Sequence, residues 1–261
     1  GGVLALLAAA GAGVHYLSAT RGEGGEAGEP PLCPLEELGQ VRADELACDA
    51  AALGGASLWF NGDRTEGEGS DSADISLPAA QTRLAEAVAA TGTPTVAVLT
   101  QGRAYALPAA VSSANALLIA TYAGPFGPEA TADVLFGEVN PSGKLPYSIP
   151  RSPGQIPVYH HQRNGTGFRN PLPPDVPRHY LDIDATPLYG FGRGESYTSF
   201  ELADLTCPTT VDTAGSVQIS ATVRNTGERD GATIVQLYAS AESVGVTRPA
   251  QQLVGFHRVH L

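Results

Sequence analysis

Between residue 14 and about residue 137, short apolar runs rich in β-branched residues alternate with Ala/Leu-rich segments of helical period. That alternation predicts an α/β fold built from crossover units, with a mostly parallel sheet sandwiched by helices. The predicted strands are VHYLSA (14–19), ASLWFN (56–61), TVAVLT (95–100) and ALLIATY (116–122). Pro78 and Ala79 open a predicted helix that places Leu84, Ala87, Val88 and Thr91 on one face, with Gly92 and Pro94 closing it. GPEATADVLFG (127–137) repeats the device, with Pro128 in the first turn and Gly137 at the exit.

After Phe200 the period changes to two. Val217, Ile219, Ala221 and Val223 alternate with polar residues, NTGERDG forms a turn, and TIVQLYA resumes as a strand. This predicts a partial antiparallel β-sandwich. The chain therefore reads as an α/β domain over 1–157, a proline- and glycine-rich connecting segment over 158–198, and the sandwich portion over 199–261. Within the first part, residues 20–42 are rich in Gly, Glu and Pro without periodicity and read as a flexible insertion.

Charge narrows the partners. With 27 acidic against 15 basic residues, the net charge of -12 repels phosphate backbones and anionic lipid heads, so neither nucleic acid nor a membrane is expected as a partner. The apolar opening GGVLALLAAAGAGV is too short for a bilayer span and lacks the basic flank of a secretion signal; it reads as a buried helix leading into a strand. The absence of methionine predicts a processed chain or a piece of a longer one. Cys33, Cys48 and Cys207 show no metal-ligand spacing and read as buried thiols, with a bridge between Cys33 and Cys48 open in an exported protein.

In an open parallel sheet, ligands gather beyond the carboxyl ends of the strands. Three loops follow strand ends: NGDRTEGEGSD, TQGRA and YAGPFGPEA. The first runs into the stretch RTEGEGSDSADISLP (64–78), which holds Glu66, Glu68, Asp71 and Asp74, an arrangement that fits either a catalytic acid or a solvated turn. Glu68, flanked by glycines that let the backbone approach a ligand, is the first candidate for a general acid, and Glu66 is the second. Asp74 reads as structural, bonding free amides of the following helix. NPSGKLP holds the only lysine, lacks P-loop framing and reads as a turn. His160 and His161, adjacent in VYHHQRNG, read as a structural or substrate-facing loop and not as metal ligands. Asn164-Gly165-Thr166 is a formal glycosylation sequon. No cofactor is called for.

Longer stretches carry a resemblance. "EATADVLFGEVNPSGKLPYSIPRSPGQIPVY" (129–159) resembles the "ADVLFGxxNPSGKLPxxxPRSxGQIPVY" segment of the family 3 glycoside hydrolases, especially their bacterial β-glucosidases. "PLYGFGRGESYTSF" (187–200) is similar to the family's "PLYPFGxGLSYTxF". "VRNTGERDGATIVQLY" through "RPAQQLVGF" is similar to the start of its fibronectin type III-like domain.

The resemblance implies a β-glycosidase whose general acid/base sits on a loop of the α/β domain, while a barrel domain supplies an aspartate nucleophile. "EGSDSADISLPAAQ" (68–81) aligns with "E-x-x-x-R-x-D-I-x-L-P-x-x-Q", which carries the acid/base role onto Glu68 and puts Ser72 where the pattern has arginine. The later loop has Pro125 and Pro128 in place of family glycines. A (β/α)8 barrel needs about 250 residues, so the expectation is a C-terminal portion, clipped at both ends, whose barrel acts in cis or in trans. The implied partner is a carbohydrate substrate, with a periplasmic or secreted setting favoured over the cytoplasm. The alternative is a non-catalytic carbohydrate-binding or scaffolding module derived from such an enzyme.

Overall fold

The computed structural model describes residues 72–121, 124, 126–163, 180–212, 214–241 and 245–261, together with the backbone of two strands at 15–18 and 56–59. The predicted opening helix, the 20–42 insertion, the sequon, Cys33 and Cys48 lie outside the described residues. The chain divides into two compact units, residues 1–135 with 149–156, and residues 136–148 with 157–261.

In the first unit all four predicted strands form, each within its expected span. β1 (His15–Ser18) and β2 (Ala56–Trp59) pair in parallel, with His15 opposite Ala56. Helix α1 (Ala79–Ala90) follows. β3 (Val96–Thr100) and β4 (Ala116–Ala120) also pair in parallel, with Val96 opposite Ala116, and the crossover between them holds the one-turn helix α2 (Ala109–Ser112). Among the described residues the two pairs are separate two-stranded sheets. In β3 the period of two is visible in burial: Val96 and Val98 are exposed, and Ala97 and Leu99 half-buried.

Pro78 stands at the cap of α1 and not inside its first turn, and no side chain caps the helix there. A proline suits this place because its φ is already near the helical value, and its carbonyl accepts the Thr82 amide at 3.0 Å. The helix stops where Gly92 takes φ +69° and donates its amide to Ala89 O at 3.1 Å. The half-buried face runs through Ala80, Leu84, Ala85 and Val88, while Ala87 and Thr91 are exposed, so the expected stripe is rotated about the axis. α1 contacts α2. Helix α3 (Gly127–Phe136) carries Pro128 in its first turn and gives way to Gly137 at φ +79°, as expected.

The core of this unit comprises Ile75, Tyr105, Ala106, Leu107, Val111, Ala132 and Ile149. Each large apolar side chain among them contributes roughly 1.5–3 kcal/mol by leaving water. Ile149 is fully buried. It opens a segment that continues into a short 3-10 turn, Pro153–Gln155, started by Ser152, whose Oγ accepts the Gly154 amide. The buried Gln155 side chain accepts the Arg151 amide at 2.7 Å, so its Oε1 is satisfied inside the fold.

The second unit holds two antiparallel pairs. β5 (Phe200–Thr206) lies against β6 (Ser220–Asn225), and β7 (Ala232–Ala239) against β8 (Gln252–His260). β6 starts at Ser220, so the alternation expected from Val217 becomes strand only in its later half; Val217 is exposed ahead of it. In the NTGERDG turn, Asn225 uses both ends of its amide: Oδ1 accepts Gly227 N at 3.1 Å and Thr198 Oγ1 at 2.8 Å, and Nδ2 donates to Arg229 O at 2.8 Å.

NPSGKLP is not an isolated turn. Leu145 exchanges backbone hydrogen bonds with the segment Gly192–Arg193, both at 2.8 Å, and Lys144 Nζ donates to Gly194 O. Asn140 accepts Ser196 Oγ at 2.7 Å and Tyr197 N at 2.8 Å through Oδ1, and donates to Asp230 O at 3.0 Å. Three stretches far apart in sequence, around 140–145, 192–198 and 225–231, are thereby stitched into one unit.

Candidate active-site edge

Because β3 and β4 are parallel and in register, their carboxyl ends, Thr100 and Ala120, sit side by side. The pairing runs one residue further, with Gln101 N donating to Ala120 O at 3.1 Å, and the Gln101 side chain is buried. The chain then passes through Arg103 into the buried run Tyr105-Ala106-Leu107 and enters α2 past Pro108.

Against this loop lies the exit of the acidic segment. Ser76 and Ala106 form a parallel bridge, and Ala106 N donates to Ile75 O at 2.8 Å. Arg103 reaches back from the loop: Nη1 donates to Ser72 O at 2.8 Å and Nη2 to Asp74 O at 3.4 Å, with the guanidinium over the Tyr105 ring at 5.5 Å. Ser72 Oγ turns onto Asp74 O at 3.0 Å. Residues 72–76 and 101–106 are thus brought together at one sheet edge. Glu66 and Glu68 lie outside the described residues, which resume at Ser72, four positions after Glu68.

Asp74 is structural, though not by the route expected from sequence. Its Oδ1 accepts the Ser76 amide at 2.8 Å, a two-residue local turn, and reaches no amide of α1. That backbone hydrogen bond, reinforced by the Ser76 side chain, holds the Asp74 carboxyl below its ordinary range. The loop after β4 turns at Gly124, φ +67°, whose carbonyl accepts the Gly127 amide at 3.1 Å. It presents Phe126, 75% exposed, just ahead of α3.

His160 and His161 belong to the second unit. His160 stacks on Phe191 at 3.9 Å between ring centroids, and His161 packs edge-on to His160 and stacks on the exposed Tyr159. The contacts are aromatic, which favours the structural side of the reading made from sequence. In the same unit Gln236 donates Nε2 to Gly192 O at 2.9 Å and accepts the Tyr238 hydroxyl at 2.6 Å; burial raises that phenol above its usual range. Burial likewise lowers the Lys144 ammonium, with Glu195 opposing the shift. Cys207 is an exposed free thiol, which corrects the expectation that it is buried. Among the described residues no group of three or more His, Cys, Asp or Glu is placed to hold a metal ion, and no helix is long and apolar enough to cross a membrane.

Sequence reasoning had picked out the TQGRA loop but not Arg103 within it. The available signal was an arginine directly after a strand-end glycine; its partners are carbonyl oxygens, which leave no trace in residue types.

A parallel strand pair with residues 72–76 bridged beside its loop, and antiparallel strand pairs in the second unit, define an α/β unit followed by an antiparallel β module, and comparison with known proteins gives the family. The glycosyl hydrolase family 3 C-terminal domain matches residues 14–197, and a fibronectin type III-like domain matches residues 233–261. The chain belongs to glycosyl hydrolase family 3.

Among its relatives, a periplasmic beta-glucosidase of Salmonella typhimurium is 44% identical over 196 residues, covering 74% of this chain and 26% of the relative. A beta-xylosidase of Formosa agariphila is 36% identical over 202 residues, covering 76% and 27%. A crystal structure of beta-glucosidase from Listeria innocua in complex with gluconolactone superimposes with a TM-score of 0.70 at 36% identity, covering 76% of this chain and 28% of that one. The chain spans about a quarter of the length of these proteins.

Proposed function

We propose that the chain is the C-terminal portion of a retaining exo-β-glycosidase, with a terminal β-linked glucose as the preferred substrate, and that Glu68 is its general acid/base. The observation that carries this reading is the family match across residues 14–197. It is supported by the exit of the Glu68 loop, which lies at the carboxyl edge of parallel strands where ligands of α/β sheets bind. In this reading β1 to β4 belong to one mostly parallel sheet covered by helices, and 1–157, 158–198 and 199–261 act as domain, connector and partial fibronectin-like module.

Retaining hydrolysis needs two carboxyl groups about 5–5.5 Å apart. Glu68 protonates the glycosidic oxygen as the bond breaks and then takes a proton from the attacking water; an aspartate on a barrel domain, in cis or in trans, forms the glycosyl intermediate. The Salmonella typhimurium relative favours a periplasmic or secreted location.

The test supplies a family barrel to the chain and follows hydrolysis of aryl β-glucoside and aryl β-xyloside. Glucoside turnover should exceed xyloside turnover, and Glu68→Ala should lower it by roughly 10²- to 10⁴-fold. Full rate in that variant would refute the assignment, and transfer of the loss to Glu66→Ala would move the role there. The second reading, a non-catalytic carbohydrate-binding module, draws on one observation: Ser72 turns its hydroxyl onto Asp74 O where the family pattern has a cation. Binding of glucose or cellobiose with no turnover after a barrel is supplied would favour it.

A further inference from the structure

We infer that Arg103 is a positioning residue for the segment 72–76 that follows the acidic residues Glu66 and Glu68, fixing it against the loop after β3. The inference deepens the proposed function and rests on its placement of the acid/base at Glu68.

The guanidinium bonds two carbonyls of the exit segment, Ser72 O at 2.8 Å and Asp74 O at 3.4 Å. Its other face lies over Tyr105, itself only 4% exposed, so the ring is a fixed support. Ile75, directly after the second gripped carbonyl, is buried, and its own carbonyl accepts the Ala106 amide at 2.8 Å. A planar fork with several donors suits this arrangement: it can bond two oxygens and stack on a ring together, whereas an ammonium offers a point charge on a flexible stem. Glu68 stands four positions before Ser72, a span of at most about 14 Å for an extended chain. The anchor is therefore close in sequence to the proposed acid/base, and a misplacement of about 1 Å at a reacting group can cost a hundredfold in rate.

Amide exchange on the 261-residue chain tests the anchoring without any need for activity. Arg103→Ala should speed exchange at Ser76 and Ala106 by about tenfold or more and leave β4 unchanged. About 25 mM guanidinium, far below denaturing concentrations, should restore protection, and Arg103→Lys should fall between parent and alanine variant. Val111→Ala, a cavity in the same core, serves as the control that guanidinium does not rescue. With a barrel supplied, Arg103→Ala should lower kcat at least tenfold and guanidinium should recover part of it. Unchanged exchange at Ser76 and Ala106, or a kcat within twofold of the parent, would overturn the inference. Loss and rescue at Arg103 with full rate in Glu68→Ala would uphold Arg103 and remove Glu68 as the acid/base.

Discussion

Replacing Asn140 by alanine should destabilise the second unit by about 2 kcal/mol. The side chain makes three hydrogen bonds, of which the one from Ser196 Oγ is part-buried and those involving Tyr197 N and Asp230 O are solvent-facing. A typical intramolecular hydrogen bond contributes about 0.5–1.5 kcal/mol, with exposed groups at the lower end because water replaces the partner. One bond near 1 kcal/mol and two near 0.5 kcal/mol give the sum. With a urea slope of about 2 kcal/mol/M, the midpoint should fall by about 1 M, read from tyrosine fluorescence. Asn140→Asp keeps both acceptor bonds and loses only the donor to Asp230 O, so it should cost about a quarter as much, about 0.5 kcal/mol. A shift under about 0.3 M for the alanine variant, or an aspartate variant as harmful as alanine, would refute the view that Asn140 ties the 192–198 segment through its acceptor oxygen.

Two further outcomes follow from the same unit. Gly194→Ala should destabilise by about 2 kcal/mol or more, because a Cβ there would press on the Gly143 carbonyl and lie 2.9 Å from Lys144 Cδ, whereas Gly190→Ala, with open space around it, should be near neutral in the same melt. Lys144 has a folded pKa below its unfolded value of 10.5, so the folded state binds fewer protons between the two, and stability relative to Lys144→Met should rise with pH across that window; a difference in Tm that is flat from pH 8 to pH 10.5 would contradict this.

What could be read from sequence was what depends on local period. The strands at β1 to β4 and the ends of α3 followed from apolar runs and from Pro128 and Gly137, since both signals act within a few residues. The half-buried face of α1 was misjudged by a fraction of a turn because an alanine-rich helix offers little contrast between faces; Ala80 and Ala85 are half-buried while Ala87 is exposed. Asp74 was expected to serve α1 but found a nearer amide at Ser76, and short-range capture of this kind competes with helix capping. NPSGKLP read as a turn because its partners, Gly192 to Gly194, lie some fifty positions later, and backbone pairing at that range leaves no local pattern. Flanking glycines made Glu68 the first candidate acid among four carboxylates, and the family pattern then attached the acid/base role to it.

The chain passes from the first unit to the second after residue 135, returns at 149, and leaves again after 156. Scission at any single peptide bond therefore cannot free one unit whole from the other. A piece ending at 135 would forfeit Ile149, Pro150 and Gln155, all among the deeply buried residues, and would have to fold without them. Dissecting this protein requires either keeping 136–148 as a tether or rejoining 135 to 149 by a short linker, and a protease nick inside that excursion should leave the two units held by the remaining strand of chain.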